Sequence, residues 1–132
     1  VSYRGNNMIT DNGALGLLKC IKKHKQLKNL LIDFSEGQNA ITNKTMTMIT
    51  DLIVEFEGLD MLFINFCCGQ NMITEEGLLV LAESLHKVPQ LSNLRLNFCG
   101  GKNVVSDKAA VAIAQAVGNM KNLNYLLLKF CW

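Results

Sequence analysis

The chain has 132 residues, 13 lysines and arginines against 11 carboxylates, and a net charge of +2, which fits one domain and is too small to imply nucleic acid by itself. Apolar residues make up 49% of the chain and proline occurs once, enough for a continuous core and against disorder or low complexity. No apolar run approaches the ~20 residues of a membrane helix, and the polar opening VSYRGNN, without an initiator Met, reads as a processed or incomplete chain rather than a signal peptide.

Along the chain one pattern recurs. LKNLLIDFSEGQNAIT from Leu27, LDMLFINFCCGQNMIT from Leu59 and LSNLRLNFCGGKNVVS from Leu91 align without a gap, and LNYLLLKFCW from Leu123 begins another copy. The period is 32 residues. The first segment keeps the same spacing, since Gly5, Asn7, Ile9 and Thr10 share columns with Gly37, Asn39, Ile41 and Thr42. About four repeats follow: partial units over 1–26 and 123–132, and full units over 27–58, 59–90 and 91–122.

Each unit changes period halfway. Leu94, Leu96 and Phe98 alternate with Arg95 and Asn97, which predicts a strand. Leu78, Leu81, Ala82, Leu85 and Val88 then recur at helical spacing, as do Ala110, Ile113, Ala114, Val117 and Met120. Thr42, Thr74 and Ser106 stand where helix N-caps belong. Asp11, Glu75, Glu76 and Asp107 fall in first turns, where the helix dipole favours carboxylates.

One strand and one helix cannot bury their own apolar stripes, whereas stacked neighbours can, with strands paired in parallel about 4.8 Å apart. The expected architecture is an α/β solenoid, curved because a helix is wider than a strand. On these motifs the whole chain resembles leucine-rich repeat proteins of the ribonuclease-inhibitor-like class. That resemblance implies a horseshoe segment, with a parallel β-sheet on the concave face and helices on the convex face. One departure is that Asn follows the strand Phe by five residues, so the usual LxxLxLxxNxL template places the turn a few residues off. Neither end carries a polar capping unit of the kind solenoids need, so the chain is expected to be a segment of a longer repeat protein or to be sealed by other subunits.

The repeated columns read as scaffold. Asn7, Asn39, Asn71 and Asn103 form an asparagine ladder whose amides bond backbone groups left unpaired by the turn. Gly5, Gly37, Gly69 and Gly101 are turn glycines expected at positive φ, and no GKS or GKT follows to make a phosphate loop. Phe34, Phe66, Phe98 and Phe130 stack as a core spine.

Five cysteines are too few for a disulfide scaffold, and the chain is read as reduced and intracellular, most simply cytoplasmic. Cys67, Cys99 and Cys131 share a column. In such a row neighbouring Cβ vectors run parallel about 4.8 Å apart, whereas a disulfide wants them converging at about 3.8 Å and zinc wants four ligands around one point. The row therefore reads as small packing residues. Cys68 is expected to be more exposed, with some redox sensitivity. Cys20 is placed on the inner helical side with Leu52, Ser84 and Ala116, and His24 marks a weakened core position beside Phe56, Val88 and Met120.

Function is expected on the concave strand face, whose outward residues differ between units. By alternation they are Asn29, Leu31 and Asp33, then Met61, Phe63 and Asn65, then Asn93, Arg95 and Asn97, then Tyr125, Leu127 and Lys129. Leu and Phe on a β-surface point to a covered one, and aromatic residues and Arg are usual interface anchors. A second candidate is KCIKKHKQLK, whose Lys19, Lys22, Lys23, Lys25 and Lys28 either form a solvated helix end or dock an acidic protein or RNA surface.

No nucleophile–base pair, HxxxH or strained carboxylate pair is visible, so no catalytic, cofactor or metal site is expected. The leading reading is a non-enzymatic scaffold or adaptor for a protein partner, or a structural subunit of a large assembly, with no membrane span and with nucleic acid disfavoured. The alternatives are ones that the resemblance implies: an activator of small GTPases, to which Arg95 between Asn93 and Asn97 would correspond, and an inhibitor that wraps an enzyme.

Overall fold

A computed structural model describes residues 7–131, and the expectations for Gly5 and for the two chain ends lie outside that range. Helices and strands alternate: α1 Asp11–Ile21, β1 Asn29–Asp33, α2 Asn43–Ile53, β2 Met61–Asn65, α3 Glu75–Leu85, β3 Asn93–Asn97, α4 Asp107–Gly118 and β4 Tyr125–Lys129. The strands form one parallel sheet in the order β1-β2-β3-β4. Its register pairs residues 32 apart throughout, as in Leu30↔Leu62 and Leu62↔Leu94. The molecule is thus an α/β protein of repeated strand–helix units.

One sheet face meets the helices. Leu62, Ile64, Leu94 and Leu96 are fully buried there, above Ile49, Ile53, Leu81 and Leu85. Each such side chain contributes about 1.5–3 kcal/mol by leaving water. The phenylalanine spine forms, with ring centroids 6.0 Å apart for Phe34–Phe66 and Phe66–Phe98 and 6.2 Å for Phe98–Phe130. At the β4 edge the corresponding positions lose cover, and Leu126 is exposed although it pairs with buried Leu94.

The strand-to-helix turn explains the glycine column. Two successive residues take positive φ in every described copy: Glu36 and Gly37, Cys68 and Gly69, Gly100 and Gly101. The second position needs glycine for space as well, since a Cβ on Gly101 would stand 2.6 Å from the Cys68 carbonyl oxygen. The first position has room for Glu36 and Cys68, each bearing the roughly 1–2 kcal/mol that a left-handed conformation costs an L-residue.

The asparagine ladder bridges units. Asn71 accepts from the Ile41 N–H at 3.0 Å and donates to the carbonyls of Phe34 at 2.9 Å and Phe66 at 3.3 Å. Asn39 and Asn103 repeat this scheme, accepting from Ile9 and Ile73. Each amide therefore closes its own turn and fastens it to the preceding one. The Asn7 carbonyl accepts from the Gln38 N–H at 2.8 Å.

A second ladder joins the helix starts, where the first-turn carboxylates and the N-caps fall as expected. First-turn residues bond the N-cap of the next helix rather than only facing their own dipole. The Asp11 carboxylate accepts from the Thr42 N–H at 3.0 Å, its hydroxyl at 2.7 Å and the Thr45 hydroxyl at 2.6 Å. Asn43 accepts from the Thr74 N–H at 3.0 Å and donates to its hydroxyl at 2.7 Å, and Glu75 accepts from the Ser106 hydroxyl. Thr42 and Ser106 still cap their own helices, through Lys44 and Ala109, but the Thr74 hydroxyl does not.

Two helix positions also depart from expectation. Cys20 is exposed while Leu52, Ser84 and Ala116 in its column are buried. That column faces the preceding helix, and α1 is the first one described. Ala114 is exposed while Leu18, Thr50 and Ala82 are buried. That column faces the following helix, and α4 is the last.

Candidate interaction surface

The sheet face turned away from the helices carries the predicted outward residues. Burial alternates along β1, with Asn29, Leu31 and Asp33 exposed and Leu30 and Ile32 buried. The register then sets Leu31, Phe63, Arg95 and Leu127 in one row across all four strands. Asn29, Met61, Asn93 and Tyr125 form the row before it, and Asp33, Asn65, Asn97 and Lys129 the row after.

The rows differ chemically. In the middle row Leu31 is 59% exposed and Phe63, Arg95 and Leu127 are half-buried. The Arg95 guanidinium lies 4.5 Å over the Tyr125 ring, and its Nε–H donates to the Asn93 side chain at 3.1 Å. A cation held over an aromatic face this way is oriented before any partner arrives. The third row has a second duty that alternation alone does not reveal. Asp33, Asn65 and Asn97 accept from the N–H two residues on, those of Ser35, Cys67 and Cys99. Asn65 also donates to the Asp33 carboxylate at 3.0 Å. These side chains therefore fix the strand ends as well as facing outward.

The lysine segment is partly neutralised. Glu55, from the next unit, pairs with Lys22 at 2.6 Å and Lys25 at 2.5 Å. The hydrogen bonds and charge of Glu55 raise the Lys22 pKa, and Lys22 and Lys25 hold the Glu55 carboxyl below its usual range. Lys19, Lys23 and Lys28 are exposed, as is His24. Glu55 lies 30 residues from Lys25, so a reading confined to the basic run misses it.

The cysteine row overturns one expectation. Cys99 and Cys131 are joined as a disulfide, with Cα atoms 4.5 Å apart. Each lies two residues past the end of its strand, β3 or β4, and the Gly100 N–H still bonds the Cys131 carbonyl at 2.7 Å. The row spacing is thus kept, and it falls within the Cα separation that a disulfide accepts, so rotation of the side chains is enough to bring the sulfurs together. With that bond the chain is not fully reduced as expected, while Cys20, Cys67 and Cys68 are free. The Cys67 and Cys68 sulfurs are 3.0 Å apart. Burial first, then Cys68 and the Glu36 and Asp33 carboxylates, push the Cys67 thiol up to about 11.

Among the described residues no three His, Cys, Asp or Glu side chains gather where they could hold a metal ion. No helix there is long and apolar enough to cross a membrane. Compared with known protein families and with curated proteins, the chain matches none.

Proposed function

We propose that the chain is a segment of a leucine-rich-repeat-like solenoid of the ribonuclease-inhibitor-like kind. In this reading it is a non-enzymatic scaffold that binds a protein partner on its open, concave sheet face. The observation that carries it is the middle row, Leu31, Phe63, Arg95 and Leu127, laid in register across four strands with no helix over it. An apolar row interrupted by one arginine stacked on Tyr125 matches the composition of interface anchors. Restraint of Arg95 by Tyr125 and Asn93 favours an anchor over an arginine that must reach into another enzyme's site. The Glu55 pairing with Lys22 and Lys25 favours the sheet face over the lysine segment.

Crosslinking of the native protein, with identification of the attached peptides, tests the reading. Crosslinks should cluster on residues flanking the middle row, and Arg95→Ala should weaken association by tenfold or more, the ~1.4 kcal/mol or more lost at an interface anchor. Crosslinks confined to the helices would sink it. Charge reversal at Lys22, Lys23 and Lys25 should leave association unchanged.

A further inference from the structure

The strand-to-turn junction of the unit over 59–90 carries two adjacent thiols, and no other described unit has such a pair. In an extended strand successive side chains point to opposite faces. Cys68 escapes that rule because its φ is +60°. The left-handed backbone swings its side chain round until the two sulfurs stand 3.0 Å apart. Cys68 is exposed and Cys67 half-buried. In the next unit the matching position is Gly100, where an added Cβ would come 3.6 Å from the Cys68 sulfur, so that unit presents no side chain over the thiol. The turn itself does not call for cysteine, since Glu36 and Gly100 adopt the same φ. What cysteine adds is a vicinal dithiol held at near-bonding distance on an open edge.

We propose that Cys67 and Cys68 form a redox-active dithiol that reacts with low-molecular-weight disulfides and closes into a Cys67–Cys68 disulfide. The Cys68 thiolate attacks one sulfur of the small disulfide RSSR. The S–S bond breaks, RS⁻ leaves, and Cys68 carries a mixed disulfide. Cys67 then gives up its proton and attacks the Cys68 sulfur. The Cys67–Cys68 bond forms, the second thiolate leaves, and the two protein protons end on two RSH. Two thiols are oxidised and one disulfide is reduced. Cys68 leads because burial holds Cys67 as the thiol, with a pKa of about 11; the reactive species in such exchange is the thiolate. Cys67 resolves because its sulfur is already in place.

The test is incubation of the folded protein with glutathione disulfide, then alkylation and non-reducing peptide mapping. The expected map shows a Cys67–Cys68 peptide lighter by two hydrogens and free of glutathione, while Cys20, which has no neighbouring thiol, retains the adduct. In Cys67→Ser the adduct on Cys68 should persist. Cys68→Ser, which leaves only the half-buried thiol of Cys67, should react more slowly than Cys67→Ser. A lasting glutathione adduct on Cys68 in the wild type, or a Cys67–Cys99 peptide, would overturn the proposal, and so would equal rates for the two variants. The wild-type map alone decides the pairing, so the proposal stays falsifiable if a variant does not fold.

Discussion

The two middle helices and α1 carry the same apolar spacing and meet different fates. α2 and α3 each bury six residues, whereas α1 buries only Ala14 and Leu18. The difference lies in the neighbours rather than in the helices. Each helix has one column turned to the unit before it and another turned to the unit after it, and only α2 and α3 have described helices on both sides. A column in such a stack is as buried as its neighbours make it, which is how stability in repeat proteins divides into unit and interface contributions.

The sharpest way to break that comparison is to truncate one ring of the phenylalanine spine at a time. Phe66 is fully buried between two rings, and Phe66→Ala should cost about 3–5 kcal/mol. Phe130 is half-buried with one ring beside it, and Phe130→Ala should cost clearly less. Urea denaturation of both variants checks this, and equal losses would mean that the units are not distinguished by position. Asn71→Ala comes next. It strands the Ile41 N–H and removes the donor to two carbonyls, for about 3 kcal/mol. The half-buried Asn103 should cost less when replaced in the same way.

Glycines sharpen the comparison at smaller scale. Gly101→Ala meets both a φ of +68° and the Cys68 carbonyl, and should destabilise by about 2 kcal/mol. Gly118 ends α4 with nothing within 4 Å of an added Cβ. Gly118→Ala should leave stability unchanged or raise it by about 0.5 kcal/mol. Thermal melts of the pair separate a glycine the turn requires from one the helix merely tolerates.

How much of this is legible in the sequence depends on the range of the interaction. Strand faces, the phenylalanine spine, the asparagine ladder at Asn39, Asn71 and Asn103 and the turn glycines Gly37, Gly69 and Gly101 follow from the repeat, and the structure has them as expected. The outward row Leu31, Phe63, Arg95 and Leu127 follows from alternation. Contacts one unit away are harder. Asp11 looks like a dipole residue until Thr42 and Thr45 are seen to donate to it. Glu55 looks unrelated to the lysine run until it pairs with Lys22 and Lys25. The exposure of Cys20 and Ala114 depends on which side of the helix a column faces, and a 3.6-residue period alone does not give that. The Cys99–Cys131 bond depends on how two side chains rotate at a Cα separation of 4.5 Å, which the spacing of a row does not give.

A further effect concerns the polar link that joins Asp11 of α1 to the start of α2. Burial alone would raise the Asp11 pKa, but hydrogen bonds from Thr42 and Thr45 outweigh it and hold the carboxyl below its ordinary 3.8. A carboxylate with a depressed folded-state pKa contributes stability that is full above the unfolded value and lost as pH falls through the folded one. Asp11→Asn should therefore be less stable than wild type by about 1 kcal/mol at neutral pH, the low end for such bonds because Asp11 is only half-buried and water screens it. That gap should close as the pH drops below 3.8. Glu75 makes the corresponding link from α3, and its carboxyl is also held low, by the Ser106 hydroxyl and then Lys108. Yet α3 buries six residues of its own, so Glu75→Gln should matter less than Asp11→Asn. Hydrogen exchange reads the difference locally. Amides of α1 should exchange faster in Asp11→Asn while those of α3 stay protected in Glu75→Gln. Equal loss of protection would mean that the polar links, and not buried neighbours, decide which helix holds.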